Sequence, residues 1–146
     1  MGVTGDSMIA DWSSAYPEFS GNYFNASSGI YTVPRSGIYA AQATISYVTN
    51  SAISTQLGTS IAPTFVIKKI TPTVESLVVG EFPIFYTNLI ILSLRTILAS
   101  STITLTGIVQ LSQGDTVGLF YNSDGLTIPL TLQTVQWAVF PLFSMG

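Results

Sequence analysis

The chain contains neither cysteine nor histidine, and the two absences remove most of the chemistry that a small domain draws on. Without cysteine there is no disulfide framework and no thiolate metal site. Without histidine there is no Ser–His or Cys–His nucleophile and no imidazole ligand for zinc. A Ser-x-x-Lys arrangement is missing too, because Phe65 and Val66 stand three residues ahead of Lys68 and Lys69. Charge is scarce: 8% of the residues are Asp, Glu, Lys or Arg, against about 25% in ordinary soluble domains. Four basic and seven acidic residues leave a net charge of −3, which excludes the clustered positive surface that nucleic acid requires. Even Lys68 and Lys69 form no patch, since neighbours on a strand point to opposite faces. The acids stand singly in turns and at strand ends, without the facing pair that glycoside hydrolysis needs. Catalysis is therefore not expected.

Long hydrophobic runs are also lacking. The most apolar stretch, Asn88 to Ala99, is too short to cross a bilayer and carries Arg95 inside it. It reads as a buried strand with a polar interruption. Met1 to Trp12 has no basic region followed by an apolar run, so no secretion signal is expected there. What is present is a 47% hydrophobic chain of 146 residues, about one domain and long enough to bury a core. Ser, Thr, Asn and Gln replace the missing charges. A surface so poor in charge predicts that part of it is covered by a partner subunit.

In chain order, Gly2-Val3-Thr4-Gly5-Asp6-Ser7 repeats glycine at an interval of three, the spacing of a collagen-like Gly-X-Y stalk, in which glycine packs at the three-chain axis. An ordinary Gly/Ser leader has the same composition, and both readings set residues 1–10 apart from a domain at 11–146. From Met8 to Asn25, aromatics (Trp12, Tyr16, Phe19, Tyr23, Phe24) broken by Pro17 and Gly21 predict one or two short strands. Asn25-Ala26-Ser27 has the form of an N-glycosylation acceptor within a Ser- and Gly-rich turn.

Strand signals then recur with turn chemistry between them, and no apolar stripe follows helical spacing. Pro34 and Gly37 make Val33 to Gly37 a corner between two extended segments, and Ile38 to Val48 follows as a strand. Asn50 to Pro63 reads as a loop or weak edge, Thr64 to Ile70 as a strand, and Glu75 to Tyr86, interrupted by Gly80 and Pro83, as an edge strand or bulge. Thr102 to Thr106 alternates, which sends Ile103 and Leu105 to the core and the threonines to water. Leu111 to Val117 reads as a hairpin-type turn around Gly114-Asp115, and Thr134 to Phe143 as a last strand. The fold class is all-β, a sandwich or barrel.

Three of these blocks together resemble the C1q/tumour-necrosis-factor-like jelly roll: Gly29-x-Tyr31-Thr32-Val33-Pro34-x-x-Gly37-x-Tyr39, then Leu111-x-x-Gly114-Asp115-x-Val117-x-Leu119, then Trp137-Ala138-Val139-Phe140-Pro141-Leu142-Phe143. The order matches that family, whereas Val139 replaces its usual glycine, Pro141 an aliphatic residue, and Ser51 to Ala99 matches nothing specific. The resemblance implies a jelly-roll sandwich of two antiparallel sheets that assembles as a homotrimer, each protomer setting a sheet edge against its neighbour's inner sheet. Interface candidates are Phe120, Tyr121, Trp137, Val139 and Phe140, roughly half of them core because alternation parts neighbours such as Phe120 and Tyr121. Gly29, Tyr31, Pro34, Gly37, Tyr39, Gly114 and Asp115 are structural turn or corner positions. Some heads of this family bind calcium, which makes Asp115 and Asp124 candidates for a cation that wants six or more oxygens. No other cofactor is implied. The resemblance suggests a non-enzymatic trimerisation and recognition head of a bacterial collagen-like surface or spore protein, extracellular, presenting loops to a protein or glycan. A lectin-like module or a viral or phage fibre tip is the alternative, with loop aromatics such as Tyr121 as its ligand contacts.

Overall fold

The computed structural model describes residues 2–3, 5–9, 23–25, 27–49, 61–88, 93–98, 100–126 and 129–144. The expected strands between 10 and 22, the loop at 50–60, residues 89–92 and 99, and the Arg95 side chain lie outside that description. Among the described residues every regular element is a strand: β1 (Gly2–Val3), β2 (Ser7–Met8), β3 (Phe24–Asn25), β4 (Ile30–Thr32), β5 (Gly37–Val48), β6 (Thr64–Thr71), β7 (Glu75–Glu81), β8 (Ile84–Asn88), β9 (Ser93–Ile97), β10 (Ser100–Leu111), β11 (Thr116–Asn122) and β12 (Leu130–Ser144). They form two antiparallel sheets. One, the β5 sheet, has the order β1-β12-β5-β10; the other, the β11 sheet, has the order β3-β4-β11-β6-β7 with β2 also on β11. Strands β8 and β9 pair separately as a hairpin.

Alternation on β5 lays down the core. Tyr39, Ala41, Ala43, Ile45 and Tyr47 are buried, while the residues between them face outward. Opposite them stand Phe65 and Ile67 on β6 and Val117, Leu119 and Tyr121 on β11. Aromatic rings fill one end of the space: Phe82 stacks on Phe65 at 5.1 Å and lies 4.8 Å from Tyr47, and Tyr121 lies 5.4 Å from Phe65. Ring pairs of this kind add to simple area burial.

One flank of the sandwich closes where β7 and β10 meet, and two glycines allow that approach. A Cβ on Gly80 would stand 2.7 Å from Leu105 Cγ and Cδ1, and one on Gly107 would stand 2.8 Å from Val78 Cγ2. Any side chain there would wedge the sheets apart.

The Gly114-Asp115 turn is not a hairpin. Strand β10 pairs with β5, while β11 pairs with β4 and β6, so the turn carries the chain from one sheet to the other. The corner at Val33 to Ser36 does the same between β4 and β5. The amino-terminal segment, read from the sequence as a leader over 1–10, pairs with both sheets. Gly2 and Val3 pair with Thr131 and Leu130, Ser7 and Met8 pair with Tyr121 and Phe120, and Ile9 is 2% exposed. Glycine every third residue and strand pairing look alike over two triplets, and here the backbone is spent on strands of the sandwich.

Replacing Gly80 with alanine is expected to lower stability by about 1–3 kcal/mol through overpacking against Leu105. Urea unfolding of wild type and Gly80→Ala checks this, and an unchanged midpoint would show that the two edges give way freely.

Candidate functional site

The corner and the turn that the sequence singles out touch one another directly. The Val33 N–H donates to the Asp115 carbonyl at 2.8 Å, and the Gly114 N–H donates to the Val33 carbonyl at 2.8 Å. The Gln113 N–H donates to Ser36 Oγ at 2.9 Å, and the Tyr39 hydroxyl donates to the Arg35 carbonyl at 2.6 Å. Gly29 and Gly114 take φ of 77° and 90°, the left-handed region that glycine enters without strain. Tyr31 is half-buried against the core, and its burial, followed by the nearness of Tyr39 and Tyr23, pushes its phenol up to about 12. Pro34 is half-buried and Gly37 buried in this corner. These residues are occupied with one another.

Each calcium candidate holds backbone through one carboxylate oxygen. Asp115 is buried and accepts the Ser112 N–H on Oδ2 at 3.0 Å, and Asp124 accepts the Ala62 N–H on Oδ2 at 2.9 Å. Among the described residues no three acidic side chains converge to hold a metal. Asp6, unremarked in the sequence, accepts both the N–H and the hydroxyl of Ser123 on Oδ1 at 2.8 Å. The backbone N–H of Ser123, then its hydroxyl, holds the Asp6 carboxyl below its ordinary value. This pins the amino-terminal strands to the end of β11.

The five interface candidates separate. Tyr121 is 1% exposed and packs in the core of the chain, its phenol pushed up to about 12 by burial and then by Asp6. Trp137 and Val139 lie opposite Ala43 and Ala41 and pack on the core, with Trp137 also edge-on to Phe24 at 5.8 Å. Phe120 faces outward from the other sheet, under Lys68 Nζ at 5.0 Å from its ring. Phe140, 41% exposed, is the candidate that stands on the outer face of the β5 sheet.

On that face Phe140 has unforeseen company. Ala40 of β5 lies between Phe140 of β12 and Ile108 of β10, so the three form a row across the sheet. Ile108 is 71% exposed, and Leu142, near the end of β12, is 47% exposed. Beyond the row the face turns to hydroxyls and amides: Gln42, Thr44 and Ser46 on β5, with Thr106, Thr104 and Thr102 opposite them on β10. Ser46 and Thr102 share a hydrogen bond at 2.9 Å. Ile108 was within reach of the sequence, because it has the same parity as the outward threonines.

No protein-family model matches the sequence, and no curated protein matches it. Solved structures do. The chain is similar to an Eiger TNF structure from S. frugiperda over all of its length and 87% of the other, with a TM-score of 0.65 and 13% identity. It is similar to murine APRIL over 84% of this chain and 80% of that one (TM-score 0.54, 16% identity). It is also similar to the globular domain of zebrafish complement 1qA protein over 98% and 96% (TM-score 0.53, 12% identity). The fold is the C1q/TNF-like jelly roll. Both sheets of the jelly roll and their antiparallel pairing follow the expectation; Phe140, Ile108 and Leu142 are exposed apolar side chains on β12 and β10, and Tyr23, Val74, Val79 and Leu98 are exposed elsewhere.

Asp6→Ala is expected to lose about 1 kcal/mol at neutral pH, less than a buried hydrogen bond to a charged group because this carboxylate faces solvent. Because the folded pKa lies below 3.8, the contribution is complete above that value and disappears as the pH falls through the lowered one. Urea midpoints of the two proteins should therefore differ at pH 6 and converge towards pH 2; a constant difference would contradict a role for the ionised carboxylate.

Proposed function

We propose that the chain is a non-enzymatic homotrimeric recognition head, built to hold three copies in register and to present its connecting loops outward. The single observation that carries this reading is the row Phe140–Ala40–Ile108, with Leu142 beside it, open to solvent on the outer face of the β5 sheet. A large aliphatic or aromatic side chain gains about 1.5–3 kcal/mol when it passes from water to a packed interface. A ring of three protomers buries such a row three times over, and the jelly-roll fold shared with TNF and C1q domains supports that stoichiometry.

In this reading the head is extracellular, on a cell or spore surface, and its partners are a protein or a glycan. The collagen-like stalk rests on the family resemblance, since Gly2 and Gly5 lie within the head. Trimerising next to a stalk turns a three-body nucleation into a local event, which is a mechanism that needs no catalytic group. Among the described residues no helix is long and apolar enough to cross a membrane.

Size-exclusion chromatography with light scattering at micromolar concentration is expected to report three times 15.6 kDa. Ile108→Glu and Phe140→Glu are expected to give monomers with an unchanged far-UV spectrum. A wild-type monomer under these conditions overturns the proposal.

A further inference from the structure

The four strands of the β5 sheet hold no Asp, Glu, Lys, Arg or His at all. At ordinary composition, strands of this combined length would carry on the order of ten charges. The charged side chains of the described residues stand elsewhere: Lys68 and Lys69 on β6, Glu75 and Glu81 on β7, and Asp6, Arg35, Asp115 and Asp124 in connections. The two tyrosines of β5 turn inward, and burial pushes Tyr47 up to about 12.

The edge of that sheet is unusual in the same way. Strand β10 ends the sheet and pairs with β5 in an unbroken ladder from Ser100 to Leu111, without a charge, a proline or a bulge. Exposed edges are ordinarily blunted by one of those devices or covered. With none of them present, covering is the protection left to β10, and within the chain β7 supplies part of it where Gly80 and Gly107 let the two strands meet.

We propose that this face and edge take two further copies of the same chain through an interface free of ionisable groups, so that assembly is indifferent to salt and to pH. The inference rests on the trimeric reading and adds its regulation. Self-association is what an uncharged face suits. In a three-fold ring a charge near the axis meets two copies of itself, and like charges brought together cost several kcal/mol. In a chain of net charge −3, the strands of this sheet avoid that by carrying no charged residue. Neutral hydroxyls and amides on Thr44, Thr102, Thr104 and Gln136 supply directional contacts whose strength depends on neither protonation nor screening.

Light scattering across about pH 4 to 9, where carboxylates and α-amino groups titrate, and from about 0.02 to 1 M salt, where the Debye length shrinks several-fold, should return one unchanged trimer mass. A trimer that dissociates with acid, base or salt in that range overturns the inference and leaves the trimeric reading standing. A monomer under every condition overturns both. Thr104→Glu and Thr44→Glu place a carboxylate on the exposed face without touching the core. Each is expected to be monomeric at pH 7 and to reassemble below about pH 4, as the new glutamate protonates. Val79→Glu, on β7 of the other sheet, should stay trimeric throughout. Trimers of Thr104→Glu and Thr44→Glu at pH 7 would show that the copies meet elsewhere and would sink the proposal.

Discussion

Strand β5 is paired along both edges, to β10 on one side and β12 on the other, from Gly37 to Val48. Every other position in its sheet is measured from it. With all of its backbone groups committed, β5 is free only in what its side chains do, and the strict alternation of its burial divides the protein into an inside and an outside. The unbroken β5–β10 ladder transmits that phase to Ile103, Leu105 and Leu111 inward and to Thr102, Thr104, Thr106 and Ile108 outward. The β5–β12 ladder does not stay in phase. A register shift between Leu132 and Thr134 moves the inward positions from Leu130 and Leu132 to Val135, Trp137 and Val139, and sends Phe140 out beside Ala40. A bulge therefore decides which aromatic becomes surface.

The second constraint is the contact between the corner and the turn. Two sequence blocks some eighty residues apart bond through Val33, Gly114 and Asp115, each at a point where the chain changes sheets. An interior ladder cannot satisfy backbone groups at a sheet change, so the two crossings satisfy each other. This gives a physical reason for the blocks to occur together. The corner leads into β5 and the turn into β11, so their contact ties together the starts of two strands in different sheets.

Sequence reading reached as far as local chemistry reaches. The proline-bound corner, the clean alternation over Thr102 to Thr106 and the aromatic closing strand were all visible, because each is a pattern within a dozen residues. The amino-terminal pairing was not, since Gly-Val-Thr and Gly-Asp-Ser carry no apolar alternation and owe their place to Thr131, Tyr121 and Ser123 far along the chain. Tyr121 and Phe120 could be assigned to opposite faces but not to the right ones, because the face depends on which sheet β11 joins. The same holds for the turn at Gly114, whose residues suit a hairpin and a sheet crossing equally. Ile108 is legible from parity alone, since it follows Thr102, Thr104 and Thr106 at the same two-residue interval.

The scarcity of charge takes on a different meaning once it is mapped. A uniform dilution of Asp, Glu, Lys and Arg would leave a weakly solvated protein on every side. Instead the described charges lie off the β5 sheet, which leaves one face of the sandwich without them. Lys68 over Phe120 and the Lys69–Glu75 ion pair at 3.1 Å occupy the β6–β7 side, where two lysines and two glutamates balance one another. On the opposite side, apolar area and neutral hydrogen bonds act at short range only, so the geometry of the sheet, rather than a long-range field, selects what can dock.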